Sequence, residues 1–304
     1  MAFAAFGPSQ PVVASAAKKS GPIVLALLLP GLIYLGLFFL TPLISLIITS
    51  LEVPDASGAI GAYNYGFDVS NYFNVATHYF QQIIRSFWYA TLATAFALLI
   101  SYPLAYFIGV KMRSRPVLQR VLVTLVIAPF FISFLLRTLA WKQLLSDSSW
   151  AIQTLKDLHI LGVNDYFMGT PASVVFGLTY NFIPFMTLPL YTTLERLDVR
   201  LLEAGSDLYA NPRHVFTKVT LPITLPGIIS GTLLTFIPIS GDYVNASANY
   251  LGSSKTSMIG NMVEADFLQN LQYPSASALS VLFMAIILVL VWVYVRKSGT
   301  EDLL

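Results

Sequence analysis

Between Glu195 and Pro222 the chain reads ERLDVRLLEAGSDLYANPRHVFTKVTLP. Charges of both signs crowd this stretch, which apolar sequence flanks on either side. Asp198 is placed to cap a helix running from Val199 to about Leu208, because an Asp side chain accepts from the free N–H groups of a first helical turn. Asn211-Pro212 then ends one helix and starts another, with Asn as cap and Pro at the first helical position. Two short helices meeting at an angle form a rigid, exposed knob. Leu201, Leu202 and Leu208 give it an apolar face and Glu203 a charged one. The plain alternative is a solvated connector.

Outward from the knob, charge becomes sparse. Of 304 residues 56% are hydrophobic and 11% charged, and the mean hydropathy is +0.71. Soluble domains carry about 25% charged residues, so a water-soluble enzyme is excluded, and disorder is excluded by the same apolar content. A helix crossing the hydrocarbon core needs about 20 apolar residues. The gaps between charges accommodate six such helices, over residues 22–51, 86–110, 117–140, 172–194, 219–241 and 276–295. Together they define an all-α membrane domain over 22–295, preceded by a disordered terminus (1–21) and followed by a short tail (296–304). The fifth span is the weakest, since Pro222, Pro226 and Pro238 lie in it. The first run is too long for a cleaved signal peptide and has no A-x-A site after it, so it is read as a retained span.

Cytoplasmic loops collect Lys and Arg. Twelve of the seventeen fall in the two termini, the second loop and the fourth loop (195–218), which places both termini in the cytoplasm. Lys111, Arg113, Arg115 and Arg120, with no acid among them, weigh most. Trp88, Trp141, Trp150 and Trp292 lie near predicted span ends, as interfacial tryptophans do. Residues 52–85 read as an external loop, and 141–165 as an external amphipathic helix with Trp150, Ile152, Leu155 and Leu158 at helical spacing. Arg137 falls at the outer end of the third span, either snorkelling or bracing an acid.

Several chemistries are absent from the sequence. It contains no cysteine, so it has no thiolate metal site and no cysteine nucleophile. Its three histidines are scattered, and no metal site is expected. A net charge of +2 gives no reason to expect nucleic acid as a partner. The stretch Gly252-Ser253-Ser254-Lys255-Thr256 lacks the spacing of a phosphate-binding P-loop, so ATP hydrolysis is not expected here.

The knob resembles the EAA motif of permease subunits of bacterial type I ATP-binding-cassette importers. That motif is Glu-Ala-Ala, three residues, Gly, nine residues, then Ile-x-Leu-Pro. The chain has Glu203, Ala204 and Gly205, then Val219, Leu221 and Pro222 at the matching spacing, with Gly205 for the second Ala and Tyr209 for the Gly. Tyr209 strains a positive φ, which shifts the turn toward Ala210-Asn211. The phrases PFFISFLLRTLAW (Pro129–Trp141), GLTYNFIPFMTLPLYTTLERLD (Gly177–Asp198), LPITLPGIISG (Leu221–Gly231) and MIGNMVEADF (Met258–Phe267) are similar to the polyamine-type permeases of that superfamily.

The resemblance implies the six-helix permease fold, with a coupling helix seated in a groove of an ATPase subunit. Its contact residues would be Glu203, Ala204, Gly205, Asp207, Tyr209, Pro212 and Arg213. It implies a second, homologous permease chain, two ATP-binding subunits that carry ATP and Mg, and an extracytoplasmic solute-binding protein, all in or at a bacterial cell membrane. Polyamines such as spermidine and putrescine are the implied solutes, with other small organic solutes as the alternative. Cationic amines gain from acids and aromatic faces, which makes Asp242, Tyr243, Tyr180, Asn181, Trp88, Trp141, Glu264 and Asp266 the pathway candidates. Each also has a plain reading as packing or loop surface. Met258–Phe267 is expected to dip into the outer cavity. A stand-alone secondary transporter would need ionisable groups in mid-span, and an intramembrane enzyme a nucleophile with its base. Neither pattern is found.

Overall fold

The computed structural model describes residues 21–207 and 211–297. The expected disorder of the N-terminus, Leu208, Tyr209 and the last residues of the tail lie outside the described residues. The chain divides into two units, Met1–Leu46 and Ile47–Leu304.

Helix α1 (Gly21–Leu35) continues through a π-helical turn (Gly36–Leu40) into α2 (Thr41–Thr49). It is apolar on every side, and Leu27, Phe38 and Phe39 are all more than 60% exposed. A helix apolar all round belongs in lipid or a core rather than at a water boundary.

In the second unit a small antiparallel pair, β1 (Val53–Pro54) and β2 (Tyr63–Asn64), precedes α3 (Ser70–His78). Helix α4 (Phe80–Tyr106) begins six residues before the expected start and ends in a π turn, Phe107–Lys111. Arg85 lies inside it and donates from Nη1 to the Ser257 carbonyl at 3.0 Å, so this charge does not mark a helix boundary. Next come α5 (Pro116–Ile127), α6 (Phe134–Leu144) and the short outer α7 (Trp150–Asp157). Ser149 caps α7 by accepting from the Ile152 N–H, and Ile152 is buried while Trp150 and Leu158 are exposed.

Helix α8 (Pro171–Arg196) is the longest unbroken element of the fourth segment. Helices α9 (Val199–Asp207), α10 (Pro212–Val215), α11 (Leu221–Ile223) and α12 (Leu225–Ser240) follow, with a π turn at Phe216–Thr220. The chain closes with α13 (Ile259–Glu264), a π turn at Ala265–Gln269 and α14 (Tyr273–Lys297).

Among the described residues four helices are long and apolar enough to cross a membrane alone, and two bent pairs bring the number to six. The expected third span is one of these pairs. Pro116–Phe131 and Phe134–Leu144 meet at 92°, where Pro129 removes a backbone donor and Ile132 is extended (φ −103°, ψ 134°). The fifth is the other, bent by 65° at Thr224, just ahead of Pro226.

The core is α4, α8 and α12. Ala90, Ala93, Ala97 and Ala105 place small side chains along α4, against Val174, Leu178, Met186, Leu190 and Leu194 of α8. Small residues let membrane helices approach closely, where dispersion rather than hydrophobicity holds them. A Cβ added at Gly177 of α8 would lie 2.3 Å from Leu251 Cδ1 and 2.7 Å from Asn245 Oδ1, so the outer loop after α12 is seated on this glycine.

Candidate functional site

The knob forms as its caps require. Asp198 Oδ1 accepts from the Arg200 N–H at 3.0 Å, and Asn211 Oδ1 from the Arg213 N–H at 3.2 Å. A Cβ added at Gly205 would lie 3.1 Å from Val215 Cγ2, so the two helices touch there. Glu203, Ala204, Asp207, Pro212 and Arg213 are exposed on the outer face. Among the described residues the one ion pair is Lys156–Asp147, so Glu203 does not pair with Arg200.

The root of the knob is tied to the core. Arg113, just past α4, donates to the carbonyls of Leu197 and Glu195. Tyr191 donates its hydroxyl proton to Glu195 Oε1 at 2.7 Å. A Cβ on Gly109 would lie 3.2 Å from Leu194 Cβ, so the end of α4 lies directly against that root. On the other side of the knob, the Tyr102 and Thr224 hydroxyls are 2.8 Å apart, which ties α4 to the bend of the fifth segment.

A second group gathers four of the pathway candidates. Asn181 Nδ2 donates to Thr138 Oγ1 (3.2 Å) and Asn245 Oδ1 (3.1 Å). Asn245 in turn gives its backbone N–H to Asp242 Oδ1 (2.7 Å) and its Nδ2 to Asp242 Oδ2 (3.1 Å). A chain of buried polar groups thus links α6, α8 and the loop after α12. Burial pushes the Asp242 carboxyl up to about 6, against the opposing pull of the Asn245 hydrogen bonds. Trp141 packs edge-on to Tyr180 with ring centroids 5.0 Å apart. The sequence reading missed Thr138 and Asn245; the Asp-x-x-Asn spacing at 242–245 was the available signal for Asn245.

The other candidates lie apart. Tyr243 and Glu264 line an open cleft of about 460 Å³ beside α13 and α14. Asp266 is buried, and its carboxylate accepts from Tyr79 Oη (2.8 Å), Ser275 Oγ (2.8 Å) and Asn270 Nδ2 (3.0 Å). Trp88 is 59% exposed on the α4 surface. A cavity of about 870 Å³ lies between the bend after α5, the end of α8 and the start of α12. Phe130, Phe185, Pro189, Arg196 and Ser230 line it, and no pathway candidate does. Among the described residues no group of His, Asp or Glu could hold a metal.

Proline-bent, apolar helices and a three-helix core, with an exposed two-helix knob between α8 and α12, are the features to compare with known proteins. Two solved structures share the fold: a bacterial ABC transporter involved in import of the acidic polysaccharide alginate (TM-score 0.66, 18% identity, 93% of this chain and 97% of that one), and the same kind of transporter in complex with an alginate pentasaccharide-bound periplasmic protein (TM-score 0.64, 17% identity, 92% and 95%). In sequence, the chain is 34% identical to the spermidine/putrescine transport system permease protein PotB of Haemophilus influenzae, over 92% of this chain and 95% of that one. The PotB of Escherichia coli is 32% identical, over 91% and 94%. Residues 101–296 match the family model described as binding-protein-dependent transport system inner membrane component, and the chain belongs to that family. It is a non-catalytic membrane subunit of an ATP-driven importer, with ATP hydrolysis on a separate polypeptide.

Proposed function

We propose that this permease forms half of a polyamine pathway and couples it, through the knob, to a cytoplasmic ATPase. The observation that carries the reading is the end-to-end likeness to two spermidine/putrescine permeases. The exposed face of Glu203, Ala204, Asp207, Pro212 and Arg213 seats in a groove of the ATPase, with Gly205 holding the two helices together, and Tyr209 contributes to the same contact. ATP and Mg are held by that subunit. Its closure on ATP rocks the permease between inward- and outward-facing states by rigid-body motion.

Six spans supply half a pathway, so a second, homologous but distinct permease completes it. Two ATPase subunits and an extracytoplasmic binding protein complete the importer, and both termini lie in the cytoplasm. Polycations cross beside the Trp141–Tyr180 pair and the Asn181–Asn245–Asp242 network, and meet Tyr243 and Glu264 in the outer cleft. Trp88 and Asp266 frame the same outer half.

The test is gentle purification of the tagged chain from its host, mass spectrometry of what accompanies it, and a solute screen of the companion binding protein. An ATPase, a second permease and a binding protein that takes spermidine or putrescine are expected. A chain that purifies alone and transports alone overturns the importer reading. A binding protein that ignores both amines overturns the solute.

A further inference from the structure

The cavity of about 870 Å³ lies where the two bent segments meet. Phe130 comes from the 92° joint, while Ile223 and Pro226 flank the 65° bend at Thr224. The first joint follows the 12 residues of α5, about 18 Å along the helix axis, well inside a hydrocarbon core of about 30 Å. At that depth, backbone without helical bonding is kept only where protein buries it or water reaches it. Ile132 is extended there, and Phe131 and Ile132 are 86% and 53% exposed, so this chain does not bury the joint. Such a joint faces water or the companion permease, not lipid, and the cavity that Phe130 lines shares that side. Discontinuous helices line solute paths in membrane transporters.

One charge stands on the cavity wall. Arg196, the last residue of α8, lines it together with Thr193 and Ser230, and among the described residues no Asp or Glu does. Arg196 is exposed and makes no ion pair. The two acids nearest to it in sequence are held by other partners. Glu195 Oε1 accepts from Tyr191 Oη at 2.7 Å, and Asp198 Oδ1 accepts from the Arg200 N–H at 3.0 Å. A guanidinium keeps its proton in proteins, so the wall at the knob end of the cavity is permanently positive. A solute with several ammonium groups is repelled there, whereas the acids and aromatic rings that attract it lie elsewhere in the chain.

We propose that Arg196 limits inhibition by accumulated product: its charge keeps polyammonium solute on the knob side from settling in the inner cavity. The proposal rests on the polyamine reading above and adds to it a residue that governs release rather than recognition. Two like charges about 4–6 Å apart across water change occupancy about three- to fivefold, and reversing the sign of the side chain doubles that effect on a logarithmic scale.

The test uses the complete importer in proteoliposomes with the ATPase inside, loaded with ATP and graded spermidine or putrescine, and supplied with the companion binding protein outside. Uptake without internal amine normalises each variant. Arg196→Glu is expected to lower the internal spermidine concentration that halves uptake about tenfold, Arg196→Gln about threefold, and Arg196→Lys to leave it unchanged. The shift is expected to be smaller for putrescine, which carries less charge, and to shrink as salt is raised. An unchanged midpoint in Arg196→Glu overturns the proposal and leaves the polyamine reading standing. Equal shifts for the two amines overturn it as well, since a change of packing rather than of charge then explains them. A dependence of wild-type uptake on phosphatidylglycerol that Arg196→Gln abolishes, with the midpoint unmoved, assigns the guanidinium to a lipid headgroup and overturns the proposal too. A wild-type importer that carries neither amine overturns the polyamine reading and the proposal with it.

Discussion

Arg113 Nη1 donates to the carbonyl oxygen of Leu197 at 2.9 Å, and the same guanidinium reaches the Glu195 carbonyl. These are the last carbonyls of α8, which have no acceptor role left inside the helix. A side chain from the end of α4 thus fixes the point where the chain leaves the bundle for the knob.

Arg113→Ala removes both bonds. At a half-exposed site a charge-assisted pair of this kind contributes about 1–2 kcal/mol. The expected result is a chain that still inserts and recruits the ATPase, while uptake per ATP hydrolysed drops about tenfold. Arg113→Lys keeps one donor and falls between. The ratio of uptake to hydrolysis in proteoliposomes decides, and a wild-type ratio in Arg113→Ala would remove Arg113 from the coupling path.

Asp242 makes stability depend on pH. Its carboxyl titrates at about 6 in the fold rather than at the ordinary 3.8, so the native state keeps this proton when the unfolded chain has lost it. This group's contribution to stability is greatest below about pH 4, declines by roughly 3 kcal/mol between about 4 and 6, and is level above. Asp242→Asn should flatten that decline. Thermal midpoints at two pH values, wild type against variant, measure it, and an unchanged slope would refute the assignment.

Gly260 opens α13 against the backbone of the turn at Gly241–Asp242. A Cβ there would lie 2.4 Å from the Gly241 carbonyl oxygen and 2.9 Å from that of Asp242. Neither is a flexible side-chain end, so Gly260→Ala forces the two segments apart, at about 2–3 kcal/mol. Gly31→Ala is the control, since its Cβ meets nothing within 4 Å. Melting of the two purified variants gives the comparison, with a lower midpoint expected for Gly260→Ala alone.

Glu264 and Asp266 are two residues apart, and opposite results are expected from them. Asp266→Ala leaves the Tyr79, Ser275 and Asn270 donors without an acceptor, at about 2–4 kcal/mol in total. Low membrane yield and a lower melting point are expected. Glu264→Gln changes a group at the open cleft, and should leave melting unchanged while raising the KM for a polyamine several-fold. If Glu264→Gln melts early with normal KM, the cleft carboxylate is structural.

The sequence was most informative where bonding is local. Asp198 and Asn211 cap helices from within three residues, so their effect follows from spacing alone. The sequence reading places a span over 172–194, where charged, polar loops flank an apolar run, and α8 covers Pro171–Arg196. Charge gaps misplaced the start of α4, because Arg85 finds its acceptor at Ser257, which no local pattern can show. The 92° joint was hidden for a similar reason. Pro129 is compatible with a straight membrane helix, and only the packing of α5 and α6 decides otherwise. At the candidate site the residue types were readable but their grouping was not. Tyr180, Asn181, Trp141 and Asp242 converge, while Trp88 and Asp266, chosen on the same chemical grounds, lie elsewhere.

The π turns at Phe107–Lys111 and Phe216–Thr220 stand on either side of the helix ends that carry the knob. A π turn holds one residue more than the α-helix needs for the same advance. Dropping a residue from the middle of α8 would swing everything after it by about 100° around the axis. Dropping one from either π turn instead leaves ordinary helix, with both flanks still facing their neighbours. These are the places where the gene can lose a codon and keep its protein.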